Sequence, residues 1–286
     1  MSFLKVIVLA IVQGLAELLP VSSSAHVVVA EKLMGLDPSS PAMTLLLVML
    51  HTGTMFAVIV YFWRRWRATY FASMAQFKRT AVQVILATIL TGIIGEALQV
   101  LIEKTVLRGV PNAQIEDLFS HLEWIAPALA AAGILILVAG LRERRTARGA
   151  AGELTTRQAA IIGAVQGLCL PFRGFSRSGA TISAGMLSGV AKASAENFSF
   201  ALAVILTPAA VAREALRVLH TEHESGAAAF AGAAGPGLVG AALAFLAGLV
   251  ALKWLSQWLE HGRWYLFGVY CLVAAAVVGA LYIAGY

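Results

Sequence analysis

Apolar residues dominate this chain in long runs, and short polar segments separate the runs. An α-helix needs about 20 apolar residues to cross the hydrocarbon core of a bilayer, and six runs approach or exceed that length. They lie at residues 44–63, 81–102, 124–141, 198–212, 230–252 and 264–284. The pattern therefore predicts an all-α polytopic membrane protein with about six full transmembrane helices.

Two further apolar runs are interrupted by residues that do not continue a helix. Residues 3–19 end at Pro20, and a serine cluster follows before a new helix is expected. Residues 159–170 precede a break at 171–179, after which a helix is expected to restart at Ala180. Each of these helices is too short to span a bilayer, and broken backbone at that depth must be shielded by protein or face water. The pattern predicts two re-entrant broken-helix pairs.

The two interrupted runs carry the same Val-Gln-Gly-Leu segment. Its glutamines, Gln13 and Gln166, lie 153 residues apart, about half the chain. Three full spans follow each interrupted run, and an odd number of spans places the second half in the membrane in the opposite sense. We therefore expect one integral membrane domain built as an inverted-topology repeat. Repeat one covers about 1–141, a cytoplasmic linker 142–157, and repeat two about 158–286.

Charge sets the expected orientation. The chain is 59% hydrophobic and 13% charged, about half the charged share of a soluble domain. Segments 64–80 and 142–157 together hold ten arginines and lysines, whereas 103–122 holds two. The positive-inside rule places the first two segments in the cytoplasm and 103–122 outside, with the mixed segment 213–229 also outside. The net charge of +6 is thus attributed to topology, and no nucleic-acid partner is expected.

The chemistry-bearing side chains concentrate at the two breaks. A helix that begins inside a membrane presents unpaired N–H groups and a partial positive charge, which suit a phosphate. Arg177 adds a permanently charged forked donor, and Arg173 lies four residues before it. The candidate phosphate-binding residues are Arg173 together with hydroxyl side chains at both helix starts: Ser22, Ser24, Ser176, Ser178 and Thr181.

Four residues form the candidate catalytic set: Glu17, Ser23, His26 and Arg177. His26 follows Ser23 by three residues, so we expect the imidazole to meet the Ser23 hydroxyl or a water beside it. Carboxylate, imidazole, hydroxyl and guanidinium together are typical of phosphoryl transfer, where catalysis is mainly positioning and charge stabilisation. Structural alternatives stay open: the serines as helix caps, and Glu17 in an ion pair with Arg177 or Arg173. For His51, packing is favoured over a place in the pocket.

At these positions the chain resembles the undecaprenyl-pyrophosphate phosphatase family, also known for bacitracin resistance. The first motif is Q-G-L-A-E-L-L-P-V-S-S-S-A-H from Gln13 to His26, and the second is G-F-S-R-S-G-A-T-I-S at 174–183. The likeness continues through F-S-F-A-L-A at 198–203 and Y-F-W-R-R at 61–65. It therefore covers most of the chain.

The resemblance implies a hydrolase that removes the terminal phosphate of undecaprenyl pyrophosphate to recycle the lipid carrier of peptidoglycan synthesis. It also implies a multi-pass protein of the bacterial inner membrane with its active site facing the periplasm. By motif, Glu17, Ser23, His26 and Arg177 are the functional set. Three residues depart from the family pattern: Gln13 for a glutamate, Ala25 for a frequent glycine, and Arg173 for a frequent proline.

Several points of mechanism stay open at this stage. The nucleophile is Ser23, a water held by His26, or His26 itself, with Ser23 favoured because a serine near an imidazole fits activated-nucleophile chemistry. Glu17 orients His26 or helps to hold a divalent cation, Mg²⁺ or Ca²⁺, although Gln13 weakens any two-carboxylate metal site. A transporter or flippase of the phosphorylated lipid is the alternative function, and a channel is less favoured. A homodimer is left open.

Overall fold

The computed structural model describes residues 2–37, 40–106, 121–145, 154–221 and 225–286. Within these ranges the chain forms ten α-helices and no β-strand. In chain order the helices are α1 Phe3–Leu18, α2 Ser23–Leu33, α3 Pro41–Thr69, α4 Met74–Thr105, α5 Leu122–Arg145, α6 Thr156–Cys169, α7 Arg177–Leu187, α8 Lys192–Thr221, α9 Ser225–Glu260 and α10 Trp264–Ile283.

Six of these helices are long and apolar enough to cross a membrane, which confirms the predicted all-α, six-span class. The spans are Met43–Thr69, Met74–Thr105, Leu122–Glu143, Lys192–Arg213, Gly235–Glu260 and Trp264–Ile283. Several spans begin earlier than the apolar runs in the sequence, because a side-chain cap or a first turn of polar residues extends the helix. In α4, for example, the Ser73 hydroxyl accepts a hydrogen bond from the Gln76 N–H at 3.2 Å, so the helix starts at Met74.

Both predicted breaks are present. α1 ends at Leu18 and α2 begins at Ser23, whereas α6 ends at Cys169 and α7 begins at Arg177, three residues before the expected restart at Ala180. The earlier start follows from Ser176, whose hydroxyl accepts the Gly179 N–H at 3.2 Å and caps the helix. That each pair re-enters on one side of the membrane stays a prediction. Half of the linker, 146–153, and the loop around Pro111 lie outside the described residues.

The short helices of each half pack on a long helix of the other half. α1 contacts α9, and α6 contacts α4. The glycine of each Val-Gln-Gly-Leu segment lies at this contact: a Cβ on Gly14 would meet the Ala244 carbonyl oxygen at 2.7 Å, and one on Gly167 would meet the Thr91 carbonyl oxygen at 2.9 Å. The repeated glycines are therefore explained by close helix packing, which holds each break against the opposite half.

A valine at Gly163 tests this packing. A Cβ there would lie 2.4 Å from the Ala87 carbonyl oxygen and 2.5 Å from its Cα. These are backbone atoms that cannot rotate away, so we expect Gly163→Val to lower the melting temperature in detergent by about 5 °C or more. Gly92→Val on α4 is the matched control, because a Cβ at Gly92 meets no atom within 4 Å. Equal melting temperatures for the two variants would contradict the packing argument.

Polar contacts in the core hold α7 in place. Its residues 178–185 are all buried. Thr181 Oγ1 and Ser199 Oγ on α8 lie 2.6 Å apart, and the Trp264 indole N–H donates to Ser183 Oγ at 3.0 Å. Because α7 is anchored along its length, its first residue, Arg177, has a fixed position at the second break.

Candidate active site

A cavity of about 380 Å³ lies between the two breaks. From the first break it is lined by Glu17 and the serines 22–24, and from the second by Arg173 and residues 175–178. The long helices α3 and α8 close its sides with apolar residues such as Leu47 and Leu206, and with His51. The two motifs recognised in the sequence thus face a single cavity.

Glu17 is the central group of this cavity. Its Oε1 accepts a hydrogen bond from Arg177 Nη2 at 3.0 Å, and its Oε2 accepts one from Ser23 Oγ at 2.5 Å. Gln13 Nε2, one turn earlier on α1, donates to Oε2 at 3.1 Å. The carboxylate therefore joins the first break to the second, and it accepts the hydrogen bond of the Ser23 hydroxyl. This arrangement can take up that proton when the hydroxyl oxygen attacks.

Arg177 engages only part of its guanidinium with Glu17. Its Nη1 is buried, and among the described residues no acceptor lies within hydrogen-bonding distance of it. A buried charged donor without an acceptor is costly, so such a donor points to an anion that binds there. Arg173 also lines the cavity and interacts electrostatically with Glu31, a buried carboxylate on α2. The cavity thus carries two guanidinium groups against one carboxylate on its wall.

The first serine cluster does not cap α2, which corrects the structural alternative in the sequence analysis. Ser22, at the N-cap position, has a φ of +69° and makes no side-chain cap. Ser24 Oγ instead accepts the Gly174 N–H at 3.2 Å, a direct link between the two breaks. Ser22 Oγ lies 3.2 Å from Ser24 Oγ. The Ser23 hydroxyl is thus directed to Glu17, the Ser24 hydroxyl to the second break, and the Ser22 hydroxyl to Ser24.

The hydroxyls of the second break have separate places. Ser176 caps α7, and Ser178 Oγ donates to the Leu19 carbonyl at 3.3 Å, so both lie at the cavity wall with their hydroxyls engaged. Thr181 lies one turn deeper, buried against Ser199 and outside the residues that line the cavity. The structure brings together every proposed phosphate-binding residue except Thr181.

His26 does not meet Ser23, contrary to the expectation from their spacing. Its Nδ1 lies 2.8 Å from the Ser22 carbonyl oxygen and its Nε2 lies 2.7 Å from the Tyr270 hydroxyl. The residue is not among those that line the cavity. His26 lies on the first turn of α2, where the helix backbone directs its side chain toward α10.

His51 takes the place beside Glu17 that the sequence analysis assigned to His26. Its Nε2 lies 3.5 Å from Glu17 Oε2, and its Nδ1 donates to the Leu47 carbonyl of its own helix at 2.8 Å. The side chain is 40% exposed and lines the cavity, so the favoured packing interpretation was wrong. A signal was present, because an ionisable residue inside a membrane span indicates a functional site by default.

The groups around Glu17 suit an anion better than a divalent cation. Both of its oxygens already accept hydrogen bonds, and the Arg177 guanidinium beside it would repel a second positive charge. Among the residues that the structure describes, no group of three or more histidine, cysteine, aspartate or glutamate side chains could hold a metal ion. The described side chains therefore form no all-protein metal centre, and the chemistry below uses no metal.

Comparison with known proteins identifies the family. The family model described as bacitracin resistance protein BacA matches residues 6–277. The chain belongs to this family. It is 58% identical over 281 residues to an undecaprenyl-diphosphatase 2 of Acinetobacter baylyi, with 97% of each chain covered. It is 33% identical over 285 residues to an undecaprenyl-diphosphatase 2 of Burkholderia orbicola, covering 96% of this chain and 95% of the relative. It is 34% identical over 297 residues to an undecaprenyl-diphosphatase of Acidiphilium cryptum, covering 98% of this chain and 97% of the relative.

Proposed function

We propose that this protein is an undecaprenyl-diphosphatase, a membrane hydrolase that converts undecaprenyl pyrophosphate to undecaprenyl phosphate and phosphate. The observation that carries the proposal is the buried Arg177 Nη1, which lacks an acceptor among the described residues and lies beside the Ser23–Glu17 pair. The terminal phosphate supplies that acceptor. The family and the names of the relatives favour this enzyme over a lipid transporter.

Only the headgroup of the substrate enters the cavity. A volume of about 380 Å³ accommodates a pyrophosphate but not a long polyprenyl chain, so the tail stays in the bilayer. The wall is electropositive near the N-terminus of α7, where Arg173 and Arg177 lie. This favours binding of the doubly charged terminal phosphate. The protein binds a charged headgroup at the end of a lipid that remains dissolved in the membrane.

Ser23 is the nucleophile in this proposal. Its Oγ attacks the terminal phosphorus while its proton passes to Glu17 Oε2, which already accepts that proton at 2.5 Å. The bond from the terminal phosphorus to the bridging oxygen breaks, and undecaprenyl phosphate leaves with the bonding electrons. Water then attacks the phosphoserine and the bond from phosphorus to Ser23 Oγ breaks. Ser23 Oγ takes back the proton that it gave to Glu17, and the released phosphate carries both protons of the water. Arg177 stabilises the charge on the equatorial oxygens in both steps.

His51 is placed to exchange a proton with Glu17. Its Nδ1 must carry a proton because it faces a carbonyl. Nε2 is therefore the nitrogen that can take up a proton, and it faces the Glu17 carboxylate at 3.5 Å. Nε2 receives the Ser23 proton from Glu17 and returns it when the phosphoserine is hydrolysed. In this role His51 replaces His26 as the imidazole of the site.

Replacing His51 by glutamine tests that role. Glutamine keeps a polar group of similar reach but cannot take up a proton, and a general acid–base residue contributes about 10²- to 10⁴-fold. We expect a decrease in kcat of about 10²-fold, measured as phosphate release from undecaprenyl pyrophosphate. Thr52→Val is the control, since the Thr52 hydroxyl donates to the Val48 carbonyl of its own helix at 2.8 Å. A kcat within twofold of the parent in His51→Gln would exclude the proton exchange.

The cavity faces the periplasmic side of the bacterial inner membrane in this proposal. On α3 its lining residues, Leu47 and His51, lie toward the end opposite Arg64–Arg67. The arginine-bearing end of α3 is cytoplasmic by the positive-inside rule, so the cavity lies in the outer half of the membrane.

The proposal also treats the two halves as inverted repeats with a linker at about 142–157. The reciprocal packing of α1 on α9 and of α6 on α4, together with the contacts of α3 with α8 and α5 with α10, supports this division. Such pairings are expected when corresponding helices of two repeats are related by a two-fold axis in the membrane plane. A homodimer stays a prediction.

Phosphate release in detergent micelles tests the proposed function directly. Micelles have no second compartment, so a transporter would not produce a signal, whereas a hydrolase releases phosphate from undecaprenyl pyrophosphate. We expect release with multiple turnovers per protein molecule. Absence of release by folded protein, combined with movement of the lipid across reconstituted vesicles, would establish the transporter instead.

A further inference from the structure

The hydroxyl group of Tyr270 lies against His26, at the edge of the site. Tyr270 belongs to α10, in the second half of the chain, and its hydroxyl oxygen lies 2.7 Å from His26 Nε2. The two rings are nearly parallel, at 13°, with centroids 5.6 Å apart. Tyr270 is 48% exposed, so its ring is not simply a core residue. The contact joins residues 244 positions apart.

The contacts of His26 assign its protons. Nδ1 lies 2.8 Å from the Ser22 carbonyl oxygen, which can only accept, so Nδ1 donates. In the neutral imidazole Nε2 is then the acceptor, and the Tyr270 hydroxyl is the donor. The two contacts fix both the tautomer and the orientation of the ring. Tyr270 therefore holds His26 in the state in which it binds Ser22.

The bond from His26 acts on a strained residue. Ser22 has a φ of +69°, and among the described residues it is the only one other than glycine with a positive φ. A side chain in this region is strained and persists only when surrounding contacts hold it. Ser22 immediately precedes Ser23, so its backbone conformation sets the direction in which the Ser23 hydroxyl leaves the chain. That hydroxyl points to Glu17.

A second contact from α10 reaches the same break. Cys271 Sγ donates to the Pro20 carbonyl at 3.4 Å. Successive residues of α10 thus hold the break on either side of Ser22: Cys271 through Pro20, and Tyr270 through His26. The second break is held in a corresponding way by α5, where a Cβ on Gly174 would meet the Ile125 carbonyl oxygen at 2.5 Å.

We infer that Tyr270 is a positioning residue for the hydrolase: through its hydrogen bond to His26 it keeps the strained Ser22 backbone in the conformation that aims Ser23 at Glu17. This inference rests on the proposed function, because Ser23 is the nucleophile only in that reaction. It also assigns His26 a structural part in the site, in agreement with its place outside the cavity lining.

The test is Tyr270→Phe in the full-length protein, which removes one oxygen and keeps the stacked ring. Two readouts are used. The first is kcat and KM for phosphate release from undecaprenyl pyrophosphate, where we expect kcat to fall about three- to tenfold, the size of one neutral hydrogen bond, with KM unchanged. The second is carbethoxylation of His26 by diethyl pyrocarbonate, quantified by mass spectrometry. Its rate should rise several-fold because Nε2 loses its partner.

Controls are available within the chain. Tyr282→Phe makes the same change on α10 at a tyrosine of similar exposure, 50%. His261 is the internal reference for carbethoxylation, because its Nδ1 also faces a carbonyl of the preceding turn, at 2.6 Å from Gln257. Faster modification of His26 with kcat unchanged would overturn the positioning role. An unchanged modification rate would overturn the hydrogen bond itself. The modification readout needs no enzymatic activity, so it stands even if the proposed function fails.

Discussion

Replacing Arg177 by lysine is expected to lower kcat/KM by about 10²- to 10³-fold while the protein stays folded. In the proposed reaction Arg177 serves two partners at once, since Nη2 donates to Glu17 at 3.0 Å and the buried Nη1 is left for the substrate. A lysine ammonium neutralises Glu17 but lacks the planar fork that reaches a phosphate oxygen at the same time. The measurement is phosphate release, with melting temperature as the test of folding.

The conservative change is essential to this experiment. Removing the positive charge, as in Arg177→Met, would leave Glu17 as a partly buried carboxylate without its guanidinium partner and would destabilise the site. Arg64→Lys, at an exposed position on α3, is the matched control and should keep parental activity. If Arg177→Lys keeps more than about a tenth of the parental kcat/KM, the fork is not used for phosphate and the ion pair with Glu17 is structural.

Ser23→Ala is expected to abolish turnover, with a decrease in kcat of about 10³-fold or more. The substitution removes the hydroxyl that donates to Glu17 at 2.5 Å and, in this mechanism, the attacking atom. KM should change little, because Arg173, Arg177 and the helix starts still bind the headgroup. A rapid acid quench of the parent protein followed by mass spectrometry should also detect phosphate on Ser23.

Ser24→Ala is the matched control for Ser23. The Ser24 hydroxyl accepts the Gly174 N–H at 3.2 Å and links the two breaks, so its loss should lower activity by about tenfold or less. Equal losses in the two variants would mean that both hydroxyls act by holding the breaks together. A water activated by Glu17 would then be the attacking group.

The parts of the structure that follow from local pattern could be predicted from the sequence. Six apolar runs specify six spans because a helix that crosses a bilayer must be apolar over its length. The breaks could be located because Pro20 ends α1 and the segment 171–176 cannot continue α6. Repetition of Val-Gln-Gly-Leu indicated two related halves, and the close contacts of Gly14 and Gly167 give that repetition a physical reason.

The parts of the structure that depend on side-chain direction across the fold could not be predicted from the sequence. The three-residue spacing of Ser23 and His26 suggested contact, but the positive φ of Ser22 rotates the chain so that Ser23 reaches Glu17 and His26 reaches α10. No local pattern specifies that rotation. The position of His51 inside a span was a signal for a functional site, but it did not indicate the partner, since only the packing of α3 against α1 brings its Nε2 to within 3.5 Å of Glu17.

Arg177 shows a third case, in which the geometry leaves room for both alternatives from the sequence. From its place in the sequence, Arg177 was expected to form either a structural pair with Glu17 or a phosphate contact. The guanidinium has separate nitrogens for each, and the geometry assigns Nη2 to Glu17 and leaves Nη1 in the cavity wall. The choice could not be made from the sequence because it depends on the angle at which the side chain enters the cavity.

A structure with a bound prenyl methylenebisphosphonate, in which carbon replaces the bridging oxygen, tests the central claim most directly. We predict that the terminal phosphonate lies in the cavity between the two breaks, with one oxygen on Arg177 Nη1 and its phosphorus about 3–3.5 Å from Ser23 Oγ. A second cavity of about 510 Å³, whose lining includes Arg142 and Lys192 together with Glu143, Glu196 and Glu260, offers the alternative location. Density for the headgroup there, with none between Ser23 and Arg177, would contradict the account.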